Sequence, residues 1–211
     1  MHKIHEILTN VDMNCQSLRG LAARSGSKDV VQRVIDVIEE FKLPEDKVKR
    51  MWTGKNRDGC LLLALAARSG SKDVVEEVIN NFSPNELEKT LQEKDWVGRS
   101  VLAMAVQSGS KCVVEEVLRH VSKKKVQGIL AAKDINGHSL LTMAAQSGSR
   151  EVVKYVLHVF RREKLSEYKI QGMLRSVDIF GAPLLDHAVI SGNSDTLKTL
   201  LGIVTDKLMK Q

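Results

Sequence analysis

Residues 95–118 read DWVGRSVLAMAVQSGSKCVVEEVL, and each part of this stretch specifies its own local conformation. Asp95-Trp96-Val97-Gly98 puts Asp first and Gly fourth, the preferred chemistry of a type I turn. Ser100 follows as an N-cap, its hydroxyl placed to accept an orphan amide of the next helix. Val101, Leu102, Ala105 and Val106 then recur at helical spacing. Gly109 suits the left-handed conformation that ends a helix. Ser110 is placed to cap a second helix, whose apolar face is Val113, Val114, Val117 and Leu118. The small side chain of Ala105 lets two short antiparallel helices approach closely. The stretch predicts turn, helix, tight reversal, helix.

The same phrase returns along the chain. It reads Ala22-Ala23-Arg24-Ser25-Gly26, Ala66-Ala67-Arg68-Ser69-Gly70, Ala105-Val106-Gln107-Ser108-Gly109, Ala144-Ala145-Gln146-Ser147-Gly148 and Ala188-Val189-Ile190-Ser191-Gly192. The glycines lie 44, 39, 39 and 44 residues apart. A period in this range marks a stacked repeat protein, because no single unit can bury its own apolar face. Such chains are usually binding surfaces rather than catalysts.

Composition sets limits on the rest. The chain has 211 residues, 43% hydrophobic and 27% charged, which is enough material for a substantial core. Aromatics are only 4%, so Ala, Leu and Val must supply the apolar surface, as closely packed helices require. Met1 to Asn10 contains no apolar leader core, and the longest apolar run, 60–67, is far too short to span a bilayer. Cys15, Cys60 and Cys112 are odd in number and form no Cys-x-x-Cys pair, which points to a reducing, cytoplasmic setting.

The unit resembles the ankyrin repeat. That family's pattern runs from an Asp-x-x-Gly fingertip through Thr-Pro-Leu-His-x-Ala to a Gly and a Val-Val-x-x-Leu-Leu helix. The fourth unit follows it as Asp134-Ile135-Asn136-Gly137, Ser139-Leu140-Leu141, Ala144, Gly148 and Val152-Val153. The fifth follows as Asp178 through Gly181, Pro183-Leu184-Leu185, Ala188 and Gly192. In the second, Asn56 stands in the Asp place while Gly59, Leu63, Ala66 and Gly70 are retained. The first has Asp12 but Cys15 for Gly and Arg19 for the core Leu, as in a capping unit with one solvated face. The family's His is replaced throughout, by Gly20, Ala64, Ala103, Thr142 and Asp186.

The resemblance implies an all-α ankyrin-type solenoid of five units, at roughly 12–55, 56–94, 95–133, 134–177 and 178–211, with 1–11 as an N-terminal extension. These units exceed the usual ankyrin period of about 33 residues. The surplus, in 43–52, 84–91, 121–130 and 165–174, carries helix signals. Ser83-Pro84 offers a cap with Pro at the first helical position, and Leu87 and Leu91 sit four apart. A third short helix is expected in the first four units, covering the outer face of the second helices.

Catalysis finds little support. The six histidines, His2, His5, His120, His138, His158 and His187, form no His-Glu-x-x-His or Cys/His signature, so neither metal nor cofactor is expected. Thr53-Gly54-Lys55-Asn56 lacks the first Gly and the Ser or Thr of a phosphate loop. Ser-Gly-Ser recurs in four copies, and helix capping explains it without a nucleophile. Glu76-Glu77 and Glu115-Glu116 belong to the polar face of an amphipathic helix.

The resemblance also implies where a protein partner would sit: on the concave side, formed by fingertips and first-helix ends. The fingertip residues are Met13, Asn14 and Gln16; Arg57, Asp58 and Cys60; Trp96, Val97 and Arg99; Ile135, Asn136 and His138; and Ile179, Phe180 and Ala182. The helix-end column is Arg24, Arg68, Gln107, Gln146 and Ile190, which grades from basic to apolar. Trp96, Ile135, Ile179 and Phe180 either form a partner site or pack on one another along the stack.

Net charge is +6, from 32 Lys and Arg against 26 Asp and Glu, and its distribution matters more than its size. Basic residues concentrate in the surplus segments, at Lys47, Lys49 and Arg50, at Lys123, Lys124 and Lys125, and at Arg161 and Arg162. Stacking would align them as a ledge fit for an acidic protein, RNA or an anionic membrane surface. The alternative is an RNA-reading helical repeat of the PUF type, whose base-reading column would be Gln32, Glu76, Glu115, Lys154 and Lys198. Its two Glu would repel phosphates, and the Asp-x-x-Gly fingertips have no role there.

Overall fold

The computed structural model describes residues 10–12 and 17–208, apart from the side chains of 206–208. Met13, Asn14, Cys15 and Gln16, like His2 and His5, lie outside the described residues. The described chain is built from helices in three roles. First helices are α1 (Leu18–Arg24), α4 (Leu62–Arg68), α7 (Val101–Gln107), α10 (Leu140–Gln146) and α13 (Leu184–Ile190). Second helices are α2 (Lys28–Glu40), α5 (Lys72–Asn80), α8 (Lys111–His120), α11 (Arg150–Arg162) and α14 (Ser194–Leu208). Third helices are α3 (Glu45–Thr53), α6 (Pro84–Gln92), α9 (Lys123–Ala131) and α12 (Glu167–Leu174). Extended pairing among the described residues is confined to isolated bridges such as Lys94 with Ser100 and Lys133 with Ser139. The architecture is an all-α repeat solenoid.

Local chemistry explains each boundary. The Ser17, Ser100 and Ser139 hydroxyls accept the amides of Gly20, Ala103 and Thr142 at 3.2–3.3 Å and start their first helices. At the other end, the hydroxyls of Ser25, Ser69, Ser108, Ser147 and Ser191 donate to the carbonyls three residues back, at 2.6–2.8 Å. The same oxygens accept the amide two residues on, as Ser108 does from Ser110 at 3.2 Å. The glycine between them makes this reversal possible: Gly109 has φ 74°, a left-handed value that a Cβ penalises. Ser27, Ser71 and Ser149 then cap the second helices through the Val30, Val74 and Val152 amides. Ser110 departs from expectation, because its hydroxyl accepts nothing from α8 and it is fixed by its own amide on Ser108 instead.

Packing is nearest-neighbour. First helices stack on first helices and second on second, and one apolar cluster runs from Ala22 to Leu200. Ala66, Ala105 and Ala144 are fully buried, which is the close approach their small side chains allow. Third helices turn Leu91, Val126, Leu130, Ile170 and Met173 inward. α6 lies against α7 and α12 against α10, both first helices, whereas α3 turns Met51 and Val48 onto Ile38 and Val34 of α2, a second helix as expected. The chain must travel from the end of one second helix to the start of the next first helix, and the third helix lies along that path.

Arg19 also corrects the sequence reading. It is buried rather than solvated, with its guanidinium carbon 4.0 Å from the centre of the Trp52 ring on α3. Burial pulls its pKa down to about 10, with Glu39 acting in the opposite direction. No helix among the described residues is long and apolar enough to cross a membrane.

Two truncations check the register. Leu102→Ala and Leu141→Ala should each cost about 2–5 kcal/mol in denaturant unfolding. On the third helix, Leu91→Asp should lower the melting temperature, whereas its exposed neighbour Glu88→Ala should stay within about 0.5 kcal/mol of wild type.

Candidate functional site

One side-chain oxygen organises each of the fingertips at Asn56, Asp95, Asp134 and Asp178. Asp95 Oδ1 accepts the amides of Val97 and Arg99 at 3.1 and 2.7 Å, and Asp134 Oδ1 accepts those of Asn136 and His138 at 2.9 and 2.8 Å. Asp178 Oδ1 takes Phe180 and Ala182 at 2.8 and 2.9 Å. Asn56 does the same with its amide oxygen for Asp58 and Cys60. Successive fingertips are tied by main-chain bonds, with the Trp96 amide donating to Asp58 O, Ile135 to Val97 O and Ile179 to Asn136 O at 2.8–3.0 Å.

This ladder holds one side-chain position in a row. Trp96, Ile135 and Ile179 occupy it in three consecutive fingertips and are 64%, 66% and 61% exposed. Trp96 is fixed from beneath. Its ring lies over Gly59, so closely that a Cβ there would come within 2.7 Å, and its indole N–H donates to Arg57 O at 3.1 Å. Packing along the stack and exposure to solvent therefore coexist in this residue. Val97 and Asn136, one position on, are half-buried, while Phe180 is 83% exposed.

Two of the expected fingertip contacts face inward. The Arg99 guanidinium binds Asp95 Oδ2 at 2.7 and 2.8 Å, and His138 Nδ1 sits 3.2 Å from Asp134 Oδ2. Both side chains are engaged within the fingertip row and present little surface to a partner. Along the helix-end column, Arg24 and Arg68 are exposed and Gln107 is half-buried. Gln146 is half-buried and contacts the His187 Nδ1 at 3.1 Å, and Ile190 is 78% exposed. Val189 is 59% exposed, whereas its equivalents Ala145 and Val106 are buried.

The basic ledge is uneven. Lys49 pairs with Glu86 at 3.4 Å and Arg162 with Glu163 at 2.8 Å. Lys47 and Arg50 line a cleft of about 340 Å³ with Met51, Leu62 and Leu65. Arg161 is exposed. Lys123, Lys124 and Lys125 are also exposed and fill the first turn of α9, where like-signed helix charge disfavours them. Glu116, expected on a solvated face, is buried and meets Arg119, His120 and Lys72.

A cluster that sequence spacing did not reveal lies between the fourth and fifth fingertips. His138 Nε2 and His187 Nε2 stand 3.5 and 3.3 Å from Asp178 Oδ2, although the three residues are far apart in the chain. Burial acts to raise the Asp178 pKa. The amides of Ala182 and Phe180, together with His138 and His187, outweigh it and hold the carboxyl below its ordinary value. One sequence signal existed. The residues equivalent to His187 in preceding units are Leu21, Leu65, Met104 and Met143, so a histidine interrupts an apolar column.

Cys60 is buried, and burial first and Asp95 second push its thiol up to about 11. Cys112 is exposed. Alkylation near pH 8, followed by mass spectrometry of peptides, should label Cys112 in the folded protein and Cys60 only after unfolding, because the thiolate is the nucleophile.

A family model described as ankyrin repeats matches residues 63–164 and 102–208, more than half of the sequence, and the chain belongs to the ankyrin-repeat family. No curated protein matches it. Ankyrin repeats are generally protein–protein interaction modules and typically non-catalytic.

Proposed function

We propose that this ankyrin-repeat chain is a noncatalytic scaffold that takes a protein partner on its concave fingertip and first-helix face. The observation that carries the reading is the row of Trp96, Ile135 and Ile179, each nearly two-thirds exposed on a backbone already rigidified by fingertip hydrogen bonds. Rigid apolar groups presented in series lose little entropy on binding, and a few such anchors typically dominate an interface. Phe180 and Ile190 extend the row, with Val97, Asn136, Gln107 and Gln146 beside it as polar or half-buried neighbours.

Charge adds direction. Arg24 and Arg68 sit at the basic end of the helix-end column and Ile190 at the apolar end. The complementary ligand is an extended or helical protein segment with apolar side chains at one end and acidic residues at the other. The second reading, an RNA or anionic surface on the ledge, is favoured by the exposed trio Lys123, Lys124 and Lys125 and by the exposed Arg161. Glu86 and Glu163 answer Lys49 and Arg162 and weaken that ledge elsewhere.

Selection of binders from a displayed random-peptide library against the intact chain tests the two. Apolar-acidic consensus peptides are expected. Phe180→Ser with Ile179→Ser should weaken them by about 2 kcal/mol or more while leaving the melting temperature nearly unchanged. Reversal of Lys123, Lys124 and Lys125 to Glu should leave those peptides bound. Loss of capture on the Lys reversal but not on the fingertip pair would move the site to the ledge.

A further inference from the structure

Each fingertip carboxylate divides its two oxygens, and what meets the second one differs from repeat to repeat. Oδ1 holds the turn amides in every case. Asp95 Oδ2 is neutralised by the Arg99 guanidinium of its own fingertip. In the fifth fingertip the equivalent of Arg99 is Ala182, which has nothing to offer. Asp178 Oδ2 therefore depends on His138 and His187, which reach it across the repeat boundary, and its side chain is only 5% exposed. Two turn amides answer Oδ1, and a carboxylate buried to that degree gains from a cation at its second oxygen.

The histidines are oriented from behind. With the proton on His138 Nδ1, Asp134 Oδ2 accepts from it at 3.2 Å and the His138 Nε2 lone pair faces Asp178. In that tautomer two acceptors face each other at 3.5 Å, and a cation between them removes the repulsion. His187 is held at Nδ1 by the Gln146 side-chain amide at 3.1 Å. Its Nε2 is buried, has no hydrogen-bond partner, and stands 3.3 Å from the same oxygen. The His187 side chain is only 8% exposed.

We propose that His138 Nε2, His187 Nε2 and Asp178 Oδ2 form a binding site for a zinc-class divalent ion, which ties the fourth fingertip to the fifth fingertip and to α13. Zinc bonded at about 2.0–2.1 Å in a tetrahedron keeps its ligand atoms about 3.3–3.4 Å apart. The two nitrogen-to-oxygen separations, 3.5 and 3.3 Å, already have that length, and all three ligand atoms lie within 4.8 Å of one another. Two imidazoles and one carboxylate suit zinc rather than calcium or magnesium, which demand oxygen-rich shells. Asp134 and Gln146 are the outer partners such a site needs, the Gln amide turning its oxygen toward the His187 Nδ1–H when Nε2 binds metal. Three protein ligands leave a fourth position for water or for a side chain from a bound partner.

Zinc chloride titrated by calorimetry into the untagged, chelator-treated chain tests this, with His2 and His5 replaced by Ala to remove the terminal histidines. One ion per chain is expected, and cobalt in place of zinc should give the visible absorption of a tetrahedral centre. Thermal melting should rise with zinc concentration. His138→Ala should abolish binding. His187→Met should also abolish it while keeping the fold, since Met143 fills the equivalent position one repeat earlier. Gln146→Ala, which removes only an outer partner, should weaken binding about 10–100-fold. His158→Ala, on the exposed face of α11, should change nothing. Absence of binding, or binding that survives His138→Ala and His187→Met, would overturn the site and leave a proton as the cation between these groups.

Discussion

Asp95, Asp134 and Asp178 each accept two amides of their own turn through one oxygen, and the amide of the residue after each reaches a carbonyl of the preceding fingertip. That arrangement converts a surface loop, ordinarily mobile, into a rigid and regularly spaced row. The isolated bridges at the fingertip bases, the exposure of Trp96, Ile135 and Ile179, and the meeting of His138 with His187 all depend on it. Charge–amide bonds of this kind are stronger than neutral ones, and partial burial protects them from water. The second oxygen is left to side chains, and there the repeats diverge.

Behind the fingertips, the core is built from small differences in volume. Alanine at the helix crossings, valine along the second helices and leucine or methionine between them fill a cluster continuous from Ala22 to Leu200. Because each repeat touches only its neighbours, stability is close to a sum of local and interface contributions. Ser25-Gly26 and its copies keep the helix pairs short and closely reversed. A hydroxyl there satisfies one orphan carbonyl and one orphan amide together.

The division of roles follows from this packing. Residues on the two helix faces that meet neighbours are committed to the stack, which leaves fingertip side chains such as Ile135 and Ile179 and first-helix ends such as Ile190 exposed. Trp96 shows that the commitment is not absolute, since one face of its ring rests on Gly59 and the other meets solvent. Arg99 and His138 show the reverse, being fingertip residues drawn inward by carboxylates.

The repeat, its helical reversal, the caps and the third helices were legible in the amino-acid order, because turn chemistry, helix ends and apolar periodicity are set by residues within a few positions of one another. Ser83-Pro84 and the Asp-x-x-Gly turns are cases in which the local preference and the final conformation coincide. The exposed row of apolar fingertip groups, Trp96, Ile135 and Ile179, was legible too, once the period was known. Where the third helices lie, the burial of Arg19 and Glu116, and the inward turn of Arg99 and His138 were settled only by tertiary packing. So was the cluster of His138, Asp178 and His187. A sequence motif detects ligands that one helix or loop brings together, whereas these three meet because stacking superimposes one fingertip on the next. That superposition is a property of the rigid repeat-to-repeat interface, and no single unit contains it.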